Sequence, residues 1–134
     1  MKVSKKSYYG LRAAIALAQA DKAISIHALA EAEHLPEDYL EKILQALRKA
    51  GLVEATKGVA GGYKLSRSSK EVSAWDILQV LDGPLETFMP PVKGTLPCLQ
   101  VSHCQTNQVW RTLEEKIEET LDAISLEHLS HNER

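Results

Sequence analysis

Residues 36–65 read PEDYLEKILQALRKAGLVEATKGVAGGYKL, and this stretch decides the fold. From Pro36 to Ala50 the apolar residues recur at i, i+3, i+4 and i+7, which predicts an amphipathic helix with one buried stripe. That stripe consists of Leu40, Ile43, Leu44 and Leu47. Pro36 suits the first helical position, because the N–H that it lacks would be unpaired there. Gly51 is expected to end the helix as a C-terminal cap.

A β-hairpin is predicted directly after this helix. Residues 52–56 and 62–65 are short strand-like runs that flank a glycine-rich turn at residues 57–61. Glycines at such a tip let the backbone approach a phosphate closely, and the flanking lysines supply positive charge.

Two further helices are predicted upstream. Residues 4–20 carry apolar positions at helical spacing, and residues 26–33 form a second helix that Ser25 can cap. The apolar positions of the first helix are Tyr8, Leu11, Ile15 and Ala18. The order helix, helix, turn, helix and hairpin is typical of a winged helix–turn–helix, a mainly α fold with a small β-hairpin wing.

The second half of the chain predicts three further segments. Ser73 and Asp76 have capping-box spacing at the start of a helix that ends at Gly83. Residues 84–105 form a proline-containing loop, and residues 106–124 form a long helix whose apolar stripe is a core or dimer seam. Ser125 can cap a last short helix. We therefore divide the chain into residues 1–83, 84–105 and 106–134.

The composition and the charge distribution limit the classes of function that the protein can have. The 134 residues carry a net charge of −2, but residues 1–70 hold 12 basic and 7 acidic residues, whereas residues 71–134 hold 4 and 11. A basic half beside an acidic half suggests that one end meets a polyanion. No apolar stretch is long enough for a membrane span, and no secretory signal is visible, so we expect a cytoplasmic location. No catalytic constellation is visible, so we expect no enzyme activity.

The candidate DNA contacts fall into three groups. A helix of this diameter fits the major groove, where its outward polar side chains reach base edges. The candidates to read bases are Asp38, Tyr39, Glu41, Lys42 and Gln45. The candidates to contact phosphates are Lys5, Lys6, Arg48, Lys49 and Lys64. The remaining candidates belong to the wing and are Lys57, Gly58, Gly61, Gly62 and Tyr63.

Nearly the whole chain resembles the bacterial winged-helix regulators that include IscR, NsrR and CymR. The resemblance depends on several motifs in combination, which are KKSYYGLR at 5–12, YLE at 39–41, LRKAGLV at 47–53, GGYKL at 61–65, DIL at 76–78, GPL at 83–85 and the spacing of Cys98, Cys104 and Trp110. It implies a dimeric cytoplasmic transcription regulator. We therefore expect a sequence-specific repressor, with an activator as the alternative, that acts as a homodimer on a pseudo-palindromic operator in double-stranded DNA. Its long C-terminal helices would cross between the two subunits.

Some members of this family hold an iron–sulfur cluster on three cysteines and one further ligand. This chain has an incomplete ligand set, because the first cysteine position falls on Val92 and the two positions for the further ligand fall on Asn107 and Tyr8. Cys98 and Cys104 remain, with His103 as the obvious extra donor in the loop. A 2Fe–2S cluster needs four ligands.

Four uses of these residues stay open. They could bind a 2Fe–2S cluster, hold zinc, form a reversible disulfide that senses redox state, or be inert thiols. A cluster would let the protein sense iron–sulfur status or nitric oxide. The alternative function is a protein-interaction module, or a regulator without a cofactor whose signal is a partner enzyme or a small molecule.

Overall fold

The computed structural model describes residues 3–20, 22–83 and 105–131. Its elements follow the predicted order: α1 (Lys5–Gln19), α2 (Ile26–Glu33), α3 (Glu37–Lys49), β1 (Val53–Thr56), β2 (Gly62–Leu65), α4 (Ala74–Asp82), α5 (Gln105–Asp122) and α6 (Leu126–Ser130). The mainly helical fold with one two-stranded hairpin is confirmed.

The amphipathic stripe of α3 forms the centre of the core. Its four apolar side chains, Leu40, Ile43, Leu44 and Leu47, are completely buried. Ala13 and Ala14 of α1 are completely buried as well, and their small side chains let α1 pack closely. At Gly10 of α1 a Cβ would lie 2.1 Å from Cδ1 of Leu81 in α4, so a larger residue there would require the end of the Leu81 side chain to move.

Local signals set the ends of α3, with one correction at its start. Pro36 is the N-cap in an extended conformation rather than the first helical residue, so α3 begins at Glu37. At the other end Gly51 has φ +79°. The Gly51 N–H donates to the Arg48 carbonyl and the Leu52 N–H to the Leu47 carbonyl, both at 3.0 Å. This pattern is a Schellman motif, which confirms the predicted role of Gly51.

The hairpin is antiparallel and pairs Val53 with Leu65 through to Thr56 with Gly62. A third segment joins it, since Ile24 and Tyr63 exchange backbone hydrogen bonds of 2.9 and 2.8 Å. The base of the wing is thereby tied to the segment between α1 and α2.

The C-terminal part of the chain returns to the core. Ser73 and Asp76 form the predicted capping box of α4, and Ser125 caps α6. Leu126 is completely buried in the same cluster as the α1 and α3 side chains. The long helix α5 begins and ends slightly earlier than predicted, at Gln105 and Asp122. The division of the chain into residues 1–83, 84–105 and 106–134 remains a prediction. It did not anticipate that Leu126, in the third segment, would be buried in the core formed by the first.

Candidate nucleic-acid interface

The polar face of α3 is presented to solvent. Every polar residue predicted on this face is exposed, namely Asp38, Glu41, Lys42, Gln45 and Lys49, and Arg48 beside them is exposed too. Because the opposite face is completely buried, α3 has only one orientation in which it packs. The charge along it is graded, with Glu37 and Asp38 in the first turn and Arg48 and Lys49 in the last turn.

Glu41 and Gln45 lie one turn apart on this face. The Gln45 amide Nε2 donates to Glu41 Oε1 at 3.5 Å, a long bond between two exposed groups. A bond of that length is weak, so both groups remain available to a partner. A Gln side chain can pair with the N6 and N7 edge of adenine, and a Glu carboxylate can accept from the amino group of cytosine.

Tyr39 differs from its neighbours because it is half-buried. Its ring packs edge-on against Tyr9 of α1, with 5.9 Å between the centroids and 89° between the planes. Lys5 Nζ lies 5.7 Å from the centroid of the same Tyr9 ring. Tyr9 therefore connects a predicted phosphate contact to the start of α3. Sequence reasoning missed Tyr9, since the helical pattern alone pointed to its neighbour Tyr8, which is 56% exposed.

One ion pair and one histidine contact link the helices that lead into α3. Nε and Nη2 of Arg12 donate to one carboxylate oxygen of Glu33 at 3.2 and 3.0 Å, and Glu33 is only 2% exposed. His27 Nδ1 lies 2.5 Å from Glu37 Oε1, which links the first turns of α2 and α3. The turn itself passes through His34, whose φ is +56°. These contacts join α1 to α2 and α2 to α3 in the helix–turn–helix.

The wing residues divide into an exposed tip and a constrained base. Lys57 and Gly58 are exposed, whereas Gly62 is required inside the fold, because a Cβ there would lie 2.2 Å from the Ile24 carbonyl oxygen. Gly61 is constrained in the same way by the Thr56 carbonyl oxygen.

The two remaining wing candidates have partners within the fold. Tyr63 is half-buried and carries the backbone bridge to Ile24. Lys64 Nζ lies 3.2 Å from Glu54 Oε1, so part of its charge is compensated.

A cluster of hydrogen bonds fixes the N-terminal end of α1, which carries the exposed Lys5 and Lys6. The hydroxyls of Ser4 and Ser7 both donate to the Asp82 carboxylate at the end of α4. Partial burial would raise the pKa of Asp82, but the serine hydrogen bonds and the nearby charge of Lys6 outweigh it and lower the pKa below the ordinary 3.8. The ionised carboxylate therefore holds α1 against α4.

The predicted cofactor residues Cys98, His103 and Cys104 lie outside the described residues, as does Val92. In residues 3–20, 22–83 and 105–131, no group of three or more His, Cys, Asp or Glu side chains is arranged to hold a metal ion. No helix in these same ranges is long and apolar enough to cross a membrane.

An exposed polar helix beside a basic hairpin tip defines a winged helix–turn–helix protein of the DNA-binding class. The model of the Rrf2 family, described as iron-dependent transcriptional regulators, matches residues 3–132. The chain therefore belongs to the Rrf2 family. It is a DNA-binding transcriptional regulator and not an enzyme.

Known members of the family are similar over almost the whole chain. The regulator CymR of Bacillus subtilis is 34% identical over 97% of this chain and 90% of its own length. Its structure, described as that of the global cysteine regulator, has a TM-score of 0.80 and 32% identity, and covers 97% of this chain and 96% of that one. The structure of oxidised CymR of Staphylococcus aureus has a TM-score of 0.76 and 32% identity, and covers 100% of this chain and 99% of that one. The structure of IscR of T. potens has a TM-score of 0.74 and 34% identity, and covers 96% of this chain and 85% of that one.

Proposed function

We propose that this protein is a repressor that binds a pseudo-palindromic operator as a homodimer and reads its sequence with α3. The observation that carries the proposal is the division of α3 into a completely buried apolar stripe and an exposed polar face. Lys5 and Lys6 at one end of the interface and Lys57 at the wing supply the positive charge that attracts phosphates. Such a regulator acts in the cytoplasm, where the bacterial chromosome is located.

The homodimer is supported by the exposed apolar side chains of α5. Leu113 is 39% exposed and Val109 is 58% exposed, while Ile117 and Leu121 are only half-buried within one chain. A helix with a stripe of this kind buries it best against a second helix. Two copies of α3 in a symmetric dimer would then contact half-sites about one turn of DNA apart, roughly 34 Å.

The signal is proposed to act through Cys98 and Cys104. Together with His103 they provide three donors, which is one fewer than a 2Fe–2S cluster requires, so this loop alone does not complete a cluster site. A dithiol needs no further ligand. Two thiols can lose two electrons and two protons to hydrogen peroxide, which forms one disulfide and two molecules of water.

Selection from random DNA tests the core of the proposal. Wild-type protein is incubated with a pool of random duplexes, and bound sequences are recovered and sequenced over several rounds. We expect an inverted repeat whose half-sites are one helical turn apart. A pool that stays random, with binding only at low salt, would contradict sequence-specific regulation. A stable complex with another protein instead would favour the interaction module.

Iron analysis tests the cysteine loop. Protein prepared without oxygen from iron-replete cells is assayed for iron and for visible absorbance, beside Cys98→Ala and Cys104→Ala. If a cluster forms, we expect substoichiometric iron that is lost in air and absent from both variants. If the dithiol senses peroxide, we expect iron-free protein whose two free thiols disappear on oxidation while DNA affinity changes. A third outcome is iron-free protein that binds DNA identically to the double alanine variant, both before and after oxidation. That outcome would exclude the cluster and the dithiol sensor, and it would favour a partner protein or a small molecule as the signal.

A further inference from the structure

The tip of the wing carries an apolar side chain that the fold does not use. Val59 is fully exposed, and it is the most exposed of the large apolar residues that the structure describes. The Gly61 N–H donates to the Gly58 carbonyl oxygen at 3.0 Å, so Val59 and Ala60 are the central residues of a tight turn. Turns of this kind favour Gly, Pro, Asn, Asp and Ser, and they gain nothing from a β-branched residue. Val59 therefore has no role in local structure that would explain its identity.

The turn presents Val59 on a supported base. Gly62 and Gly61 pack against the Ile24 and Thr56 carbonyl oxygens too closely for any side chain. The bridge between Ile24 and Tyr63 ties β2 to the body of the domain. Little conformational freedom would be lost when this tip meets a ligand, which favours binding by a small apolar contact.

The charge beside Val59 points to a polyanion as its partner. Lys57 is exposed two residues away. In the described part of the chain, Lys57 has no acidic group within ion-pair distance, whereas Lys64 further along the wing is paired with Glu54. A tip with one free cation and one apolar side chain suits the DNA minor groove, where phosphates line the edges and the walls are deoxyribose rings. The groove is about 6 Å wide, and narrower in A-tracts.

We propose that Val59 packs against the deoxyribose walls of the minor groove beside the half-site and makes the protein prefer narrow, A·T-rich flanks. The inference rests on the proposed DNA-binding function and adds a specificity determinant to it. Both methyl groups of valine are attached directly to Cβ, so the side chain is too short to separate stacked base pairs. It would contact the walls of an intact duplex, and these contacts strengthen as the walls come closer together.

The test compares Val59→Ala with Lys57→Ala on the full-length protein. The DNA is the half-site pair selected above, flanked either by A-tracts or by G·C pairs, and affinities are measured over a range of salt concentrations. We expect Val59→Ala to weaken binding to the A-tract DNA by about fivefold for each wing engaged, with less effect on the G·C-flanked DNA. Its salt dependence should equal that of the wild type, because no phosphate contact is lost.

Lys57→Ala should weaken binding to both DNAs and lower the slope of log K against log salt by about one for each wing. Ala60→Ser serves as the control for a change at the neighbouring tip position and should bind both DNAs like the wild type. If Val59→Ala binds both DNAs with wild-type affinity while Lys57→Ala loses affinity, the wall contact is overturned but the DNA-binding function stands. If the wild type selects no sequence at all, the proposed function itself fails.

Discussion

Gln45 is placed to read a base, because it is exposed on α3 directly opposite the buried stripe. Its amide makes only a long hydrogen bond with Glu41. Pairing with a base edge would therefore cost little in lost intramolecular contacts.

We expect Gln45→Ala to weaken binding to the selected operator by about 1–3 kcal/mol and to relax the preference at one base position of each half-site. Gln79→Ala, which removes an exposed glutamine from α4, is the matched control and should leave affinity unchanged. Both variants are measured by titration against the operator and a library randomised at each position. Equal binding by wild type and Gln45→Ala across that library would show that this side chain reads no base.

At the scale of elements, local chemistry made much of the fold predictable. The α3 stripe, the Gly51 cap and the Ser73 capping box each depend on residues within a few positions of one another, and all three were predicted and confirmed. The prediction that Pro36 is the first helical residue was wrong by one position, because Pro36 is the N-cap. An N-cap residue and a first-turn residue differ in their backbone angles, which the sequence pattern does not reveal.

In the wing, the close approach of another backbone segment requires glycine at one position and not at another. Gly62 and Gly58 both have positive φ, at +155° and +112°, but only Gly62 lies against another backbone segment, whereas nothing lies within 4 Å of a Cβ at Gly58. We expect Gly62→Ala to lower the free energy of unfolding by more than about 2 kcal/mol, because the Ile24 bridge must break. Gly58→Ala is the matched control and should cost less. Urea unfolding of both variants checks this, and equal losses would mean that the clash with Ile24 is relieved cheaply.

The whole molecule depends on contacts that no local pattern reveals. Tyr9 meets Tyr39 across two helices, and Leu126 of α6 joins the core beside α1 although it lies more than a hundred residues from α1. Sequence periodicity identifies an apolar face but not its partner, so these pairings could not be predicted. The same limit applied to Tyr8, which shares the helical spacing of α1 and is nevertheless mostly exposed.

The apolar stripe of α5 predicts a measurable assembly. We expect Leu113→Glu to shift the protein from dimer to monomer and to weaken operator binding, because a buried charge in the seam would be unpaired. Thr112→Glu places the same charge on an adjacent exposed position and should leave the dimer intact. Sedimentation velocity over a range of concentrations distinguishes the two. A dimer that survives Leu113→Glu would place the subunit contact elsewhere.

The Asp82 cluster gives the stability of the molecule a defined pH dependence. Because folding lowers the pKa of this carboxyl below 3.8, its contribution is present above about pH 4 and is lost as the pH falls through the lower folded value. We expect Asp82→Asn to be less stable than the wild type at pH 7 and the difference to shrink at pH 3. Ser7→Ala, which removes one donor, should show part of the same effect. A difference that is constant from pH 7 to pH 3 in urea unfolding would contradict the role of the ionised carboxylate.

The burial of Leu126 also bears on the order in which the protein can fold during synthesis. The N-terminal helix α1 leaves the ribosome first, yet it packs against α6, and Gln19 donates to the Ser130 carbonyl oxygen. Contacts between such distant parts of a chain form late and slowly. A nascent chain that has not yet released residues 126–130 therefore exposes part of the apolar face of α1. It follows that the helix–turn–helix cannot complete its packing until translation has passed the long helix.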